Sequence, residues 1–564
     1  MKFSEFKYER PDMDLFSKAF KEEVERFKTG ETLETQIEAM NKINQMRNTF
    51  DTMYNVASIR YTINTKDTFY ENEQAYFDEE MPNFEGLVNL FYKELIGAKH
   101  RQALEEKFGQ LVFKIAELKI NTFKPEIVED MQKENALSSQ YTKLLASAQI
   151  EFDGKKNSIP QMSYYTNSID RETRRKASLE LTKFFEANEK EFDAIYDEMV
   201  AVRNRIAQKL GYENYVQLGY ARLGRIDYTP EDVKVYRDAI YKHLVPYSLE
   251  LRQAQARRLG LEGLKHYDNG VLFKSGNPKP VGSPEEIIEN GKKMYKELSP
   301  ETDAFFNFMV DNELMDLLSH DGKSPGGYCT YMPDYQSPFI FANFNDTLDD
   351  ISVLTHEAGH AFQVYLSRGY SVPEYYWPTY EACEIHSMSM EFITMPWMEM
   401  FFGADNEKFK YYNVADAFLF IPYGITVDEF QHFVYENPEA TPEMRKAKWR
   451  EIEKKYLPFR NYEEDPFLEK GTFWYRQGHI FKDPFYYVDY TLAQICAFQF
   501  YKKTVENFDL AWKDYLNLCQ LGGSDSFVNL VNRAHLKTPF AGETIHGVVD
   551  FLKHQLEAID DSQL

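Results

Sequence analysis

The chain has 564 residues, 43% of them hydrophobic and 27% charged, which provides for a large buried core and excludes a disordered or low-complexity polymer. Lys and Arg number 65 against 90 Asp and Glu, and a net charge of -25 repels phosphate backbones and anionic lipid, so neither nucleic acid nor a membrane surface is an expected partner. Four cysteines, Cys329, Cys383, Cys496 and Cys519, are scattered too thinly for a disulfide framework and suit a reducing compartment.

In chain order, the first ten residues lack the apolar run of a signal peptide. Amphipathic periodicity predicts helical structure over 13–56 and 85–147. Ile150 to Ile159 alternates around Asp153-Gly154 and reads as a short hairpin. One long helix is expected from Ile169 to Leu210, with Ser168 as N-cap and Gly211 as its stop. Its stripe is Phe192, Ile195, Met199, Val202, Ile206 and Leu210. Similar periodicity covers 230–259 and 285–317. Between these two lies Tyr267 to Ser283, rich in Gly, Pro and Lys. It reads as the connection between an N-terminal helical lobe, 1–265, and a C-terminal lobe, 285–564. Ser337 to Phe344 is a strand, preceded by the turn-rich Ser324-Pro-Gly-Gly327. The most apolar stretch, Ala415 to Val427, is too short for a membrane span and carries Asp416 and Pro422. The expectation is a mainly α, cytoplasmic protein without tandem repeats.

The chemistry lies in Thr355-His-Glu-Ala-Gly-His-Ala361. His356 and His360, four residues apart, share one helix face and converge on one Zn²⁺. Glu357 points away from the metal, toward the attacking water. With 12 His and 90 acids in 564 residues, a chance His-acid-x-x-His match is expected about 0.04 times. Thr347 or Asp346 is the expected cap of this helix, Asp349 and Asp350 suit its positive end, and Gly369 is its expected stop. A catalytic zinc takes a third protein ligand. Downstream, Tyr380-Glu-Ala-Cys-Glu-Ile-His-Ser-Met-Ser-Met-Glu391 offers Glu381 and Glu384, which spacing leaves almost equal. Cys383 reads either as a soft ligand or as a small buried residue. His386 reads as a hydrogen-bonded neighbour of the site. Glu391 either orients a ligand histidine or sits in a charge network.

These residues resemble the thimet oligopeptidase and oligoendopeptidase F family of zinc metallopeptidases, most nearly its bacterial Pz-peptidase-like branch. The resemblance rests on His356-Glu-Ala-Gly-His360 and Glu384-Ile-His-Ser-Met-Ser-Met-Glu391. It extends to Pro338-Phe-Ile-Phe-Ala-Asn-Phe344, to His479-Ile-Phe-Lys-Asp-Pro-Phe-Tyr-Tyr487 and, upstream, to Met199 through Tyr215. The resemblance implies Glu384 as third ligand, 24 residues after His360. It also implies a mainly α fold, two helical lobes around a deep substrate channel with a small sheet beside the zinc helix. His386 departs from it, where relatives carry a small residue.

The expected roles follow. Glu357 is the general base. A second donor must share the oxyanion with zinc. The resemblance puts it at His479 and Tyr490, with Tyr486 or Tyr487 on the same segment. Phe339 to Phe344 is either a sheet edge that pairs with an extended peptide or an ordinary buried strand. Gly522-Gly-Ser524 is either a flexible loop or a helix-linking turn. The expected activity is zinc-dependent hydrolysis of internal bonds in short unstructured peptides. Alternatives are a carboxypeptidase or dipeptidyl carboxypeptidase, needing a fixed cation such as Arg476 for the terminal carboxylate, and a non-hydrolytic peptide binder. Glu357 speaks against the last.

Overall fold

Short polar side chains start most of the helices. Asp12 accepts from the Leu15 amide to open α1 (Met13–Thr29), Thr32 from Thr35 to open α2 (Leu33–Ile63), and Asp67 from Phe69 to open α3 (Thr68–Ile96). Gly30 therefore divides the 13–56 region into two helices. The 85–147 region likewise divides among the end of α3 and helices at Arg101–Phe108, Leu111–Ile120 and Val128–Ala146. The computed structural model describes residues 1–345, 347–561 and 564. Helices hold 71% of the chain and the sheets are small.

The predicted hairpin forms, with β1 (Ile150–Phe152) antiparallel to β2 (Lys155–Asn157). Its turn residues Asp153 and Gly154 both take positive φ, 52° and 70°, which matches the twist of a two-residue hairpin. The long helix expected from Ile169 is two helices. They are α4 (Arg171–Ala187) and α5 (Glu189–Leu210), parted at Asn188, whose amide donates to the Phe184 carbonyl. Asp170, not Ser168, caps the first: its carboxylate accepts from Thr173 N, and the Ser168 hydroxyl accepts instead from Asp170 N. Gly211, at φ 93°, ends α5 as expected. Next is α6 (Tyr215–Arg222).

Residues 267–283 are mostly irregular but tied down. Buried Asp268 accepts from Arg171 and Arg174, and Val281 N donates to the Phe401 carbonyl. One apolar core runs across this segment, joining Phe192 and Tyr236 on one side to Leu354 and Phe430 on the other. The 285–317 region holds two helices and then a strand, β3 (Met315–Leu318). With β4 (Tyr328–Met332) and β5 (Ser337–Phe344) it forms a sheet of order β3-β5-β4. The strand predicted at 337–344 is thus not an edge. It runs parallel to β3, pairing Met315 with Ile340, and antiparallel to β4, pairing Tyr328 with Phe341. All its residues but Asn343 are buried, the continuous apolar run of a central strand. The two edges of the sheet are β3 and β4.

The sheet backs α7 (Asp349–Ser367), which crosses α8 (Tyr380–Ile393). No side chain caps α7 at Leu348. Thr347 donates to Asn345 Oδ1 instead, while Asp350 accepts from Asn345 N; Asp346 lies outside the described residues. The helix stops at Ser367 with Arg368 as its cap, one residue before Gly369. Behind the site stand α9 (Asn406–Glu436), α10 (Gly478–Lys482) and α11 (Tyr487–Glu506), with α12 (Phe508–Leu521) next in the chain. Gly522 and Gly523 form a turn packed on the loop after α7. A β-carbon at Gly523 would stand 2.2 Å from the Trp377 carbonyl, so this is a close-packed link, not a loose loop.

Candidate active site

Two helices meet closely because Gly359 has no side chain. A β-carbon there would lie 2.7 Å from the His386 carbonyl and the Ser387 α-carbon, so any substitution drives α7 and α8 apart. At this crossing α7 presents His356 and His360, and α8 presents Glu384. Glu384 Oε2 is 3.3 Å from His356 Nε2 and 3.6 Å from His360 Nε2. All three residues offer a ligand atom within 4.8 Å of one another. Ligand atoms about 2.0–2.1 Å from one tetrahedral Zn²⁺ stand about 3.3–3.4 Å apart, so this donor set fits that ion. Glu381, three residues earlier, is buried elsewhere, with neither oxygen hydrogen-bonded.

The surroundings orient these donors. His356 Nδ1 donates to Glu391 Oε1 at 2.7 Å, which aims Nε2 at the donor cluster. Ser387 donates to Glu384 Oε2 at 3.0 Å. Burial alone would raise the Glu384 carboxyl, but His360 and His356 outweigh it and hold it below the usual range. Glu357 is buried beside them, and its Oε2 is sealed from solvent with no hydrogen-bond partner. Desolvation raises this carboxyl, favouring proton uptake. At the start of β4, a β-carbon on Gly327 would lie 3.8 Å from Glu357 Oε1, so the sheet edge approaches this carboxylate.

The segment from Gly478 to Tyr490 closes another side. Tyr486 donates to Glu384 Oε1 at 3.3 Å and packs 4.9 Å from the Tyr490 ring. His479 lies 5.7 Å from the Tyr486 ring, 4.9 Å from Tyr487 and 5.8 Å from Tyr490. Tyr423 donates to Gln477 Oε1, and the Gln477 amide faces His479 Nδ1 at 2.9 Å. Nδ1 is then the acceptor and Nε2 carries the proton. Burial lowers His479 and raises Tyr486 and Tyr490, and the Glu384 carboxylate raises both phenols further. All three are thus neutral donors at pH 7.

The other sequence candidates lie nearby in different settings. Cys383 donates from Sγ to the Pro378 carbonyl at 3.4 Å. His386 is fully buried, neither ring nitrogen has a side-chain partner, and burial pushes it down to about 4. Backbone groups of Leu518, Ala382 and Cys383 act on it as hydrogen-bond partners, and its ring lies 6.4 Å from that of Tyr515.

Two arginines far away in sequence hold the 478–490 segment. Arg203 of α5 donates to Glu134, to the Tyr435 hydroxyl and to the Phe481 carbonyl. Arg225, just after α6, donates to the Phe485 carbonyl and to Asp489 Oδ1, both at 2.6 Å, in a wholly buried pair. Phe485 sits at φ 69°, an uncommon conformation for a bulky residue, and its amide donates to Gln431. Sequence reading missed Arg225, because only the fold brings it to Phe485.

The model of peptidase family M3 matches residues 164–548, and that of the peptidase M3 N-terminal domain matches residues 3–123. An oligoendopeptidase F homolog of Lactococcus lactis subsp. lactis is 24% identical over 547 residues, 90% of this chain and 86% of that protein. A match to the oligoendopeptidase F homolog of Borreliella burgdorferi, 25% identical, spans 58% of this chain and 56% of that relative. Among solved structures, Pz peptidase A with an inhibitor superposes with a TM-score of 0.95 at 53% identity, over 100% of both chains. Oligoendopeptidase-F from Enterococcus faecium, at 17% identity and a TM-score of 0.65 over 98% of each chain, shares the fold. A family match over most of the sequence, on a helical fold that gathers His356, His360 and Glu384 around buried Glu357, places this chain in peptidase family M3.

Proposed function

We propose that this protein is a zinc-dependent endopeptidase that hydrolyses internal bonds of short unstructured peptides in the cytoplasm. The observation that carries the reading is the meeting of two imidazole nitrogens and one carboxylate beside a buried carboxylate, Glu357, that has an unpartnered oxygen. His356, His360 and Glu384 would hold the ion. Zinc, when bound, supplies Lewis-acid polarisation and a more acidic water. Glu357 takes a proton from the water whose oxygen attacks the peptide carbonyl carbon. It then gives that proton to the amide nitrogen as the C–N bond breaks. Tyr490 and the His479 Nε2–H donate to the developing oxyanion, and Tyr486, whose one proton goes to Glu384 Oε1 here, joins them when that bond is released. The free edge of β4, beside Glu357, lends its backbone to an extended peptide in place of the buried β5.

A recessed site supports the restriction to short peptides. Tyr380 is 52% exposed and packs 4.7 Å from Tyr486, yet desolvation raises its phenol. Asp416 is likewise exposed, is raised by burial and feels Glu391. Water reaches such groups while protein surrounds them, as on the wall of a channel. In this reading the channel lies between the lobes 1–265 and 285–564. Four free cysteines accord with a cytoplasmic setting, and among the described residues no helix is long and apolar enough to cross a membrane.

Peptides blocked at both ends, digested and read by mass spectrometry, test the reading. Internal cleavage is expected, lost on chelation and restored by Zn²⁺. Glu357→Gln should keep stoichiometric zinc and lose at least about 10²-fold in kcat. Near wild-type turnover in that variant would overturn the base assignment.

A further inference from the structure

Arg476 differs from the other interior arginines in its lack of polar contacts; even Arg252, which faces no carboxylate, donates to Gln255 and to the Asn269 carbonyl. Arg47, Arg174, Arg203, Arg225, Arg237 and Arg445 each face a carboxylate. Among the described residues Arg476 makes no side-chain ion pair or hydrogen bond, although the chain carries an excess of 25 acidic charges. Its Nε is sealed from solvent without a partner, while the residue as a whole is partly exposed, so its terminal nitrogens are the ones left to meet a ligand. The guanidinium lies 4.3 Å from the Phe473 ring centroid and 5.1 Å from that of Phe185. Such contacts fix the plane of a guanidinium and leave its edge free for a carboxylate.

The groups around it do not neutralise it. Arg460 stacks on Phe473 at 4.4 Å but is already committed to Glu453. His266 is pushed down to about 4, by burial first and then by Arg476 and Arg460, and is neutral at pH 7. Asp465 acts on Arg476 only beyond ion-pair distance, and its Oδ1 accepts from Leu468 N. Leaving a partly buried guanidinium unpaired is unfavourable for folding alone.

Its position ties it to the active site. Arg476 directly precedes Gln477, which joins Tyr423 to His479. An aromatic wall runs on from Phe473 through Tyr423 and Tyr487 to Tyr490, in centroid steps of 6.0, 5.9 and 5.7 Å. We propose that Arg476 is a binding site for a carboxylate of the bound peptide, anchoring the chain while the bond at His356, His360 and Glu384 is cut. The proposal rests on the peptidase reading above and adds the chemical class of substrate group that this wall selects. The carboxylate comes either from the peptide C-terminus or from an acidic side chain.

Matched peptides separate the sources. One pair differs only in a free or amidated C-terminus, the other only in an internal Glu or Gln, with both ends blocked. Wild-type enzyme should show a KM about tenfold lower for the carboxylate-bearing member of one pair, the magnitude of one charge-assisted contact. The affected pair identifies the source. Arg476→Gln should bring that ratio close to one through KM, with a much smaller change in kcat. Arg476→Lys, which keeps the charge, should retain part of the ratio and covers the case in which the Gln variant fails to fold. Equal KM values within both pairs for wild type, or a ratio that survives in Arg476→Gln, would overturn the anchor. If wild type cleaves none of the peptides, the peptidase reading fails, and the anchor with it. Cleavage of all of them alike removes the anchor alone.

Discussion

At Tyr490 the proposed chemistry depends on one hydroxyl. Its neighbours Tyr486 and His479 stand within 6 Å by ring centroid, so three neutral donors crowd the position where an oxyanion would form. Tyr490→Phe keeps the ring packing and removes one O–H. An interaction made chiefly in the transition state shows in kcat rather than KM. Loss of one oxyanion donor costs about 2.7–4 kcal/mol, or about 10²–10³ in rate. Steady-state kinetics on a short blocked peptide is the check. An unchanged kcat would assign Tyr490 to the channel wall and leave His479 and Tyr486 as donors. At this scale the sequence marked His356, Glu357 and His360 because helical spacing is local. It left Glu381 and Glu384 open because both lie on α8, and the turn separating their surroundings is visible only where α8 meets α7.

Helices and loops act as holders of those side chains. Between α10 and α11 the chain turns at Asp483–Tyr486, and the carbonyls of Phe481 and Phe485 flanking that turn accept from Arg203 and Arg225. Buried Arg225 donates from Nη2 to both Phe485 O and Asp489 Oδ1, fixing the residues that directly precede Tyr486 and Tyr490. Arg225→Lys keeps a cation for Asp489 but loses the planar guanidinium that fixes the direction of the two Nη2 hydrogens. We expect kcat to fall about tenfold, with zinc content and KM nearly unchanged, because a small misplacement of donors acts on the transition state. Metal analysis beside kinetics measures it, and full activity would show that Gln431 and Phe485 packing hold the loop unaided. The elements themselves were only partly legible. The hairpin at Asp153-Gly154 and the stop at Gly211 follow from backbone conformations that those residues favour. The break at Asn188 was not visible, because the apolar stripe continues through it and only packing tells the two helices apart.

Across the whole molecule, access is the remaining determinant of substrate choice. In the proposed reading Tyr380, beside Tyr486, and Asp416, in the field of Glu391, line a recess rather than an open face. Intact unfolded casein is flexible but too long to be enclosed. We expect slow or no internal cleavage of casein under conditions where a short peptide is cut readily and zinc dependence is verified. Rapid fragmentation of casein, followed by gel electrophoresis, would mean an open cleft.

What the sequence determined by itself is what short-range physics controls: helical periodicity, turn chemistry, and the metal-binding spacing of His356 and His360 with Glu357 between them. Its composition also determined that a large core would form under a strongly acidic surface. Tertiary structure decided what depends on contacts between distant residues. It set 337–344 as a central strand, because β3 and β4 arrive on both sides. It joined Glu384 to the histidines across a crossing that Gly359 permits. It also brought Arg225 to Phe485 and left Arg476 without a polar partner among the described residues. Such pairings join residues tens to hundreds of positions apart, so no local pattern encodes them; they arise when burial of the common core brings those surfaces together.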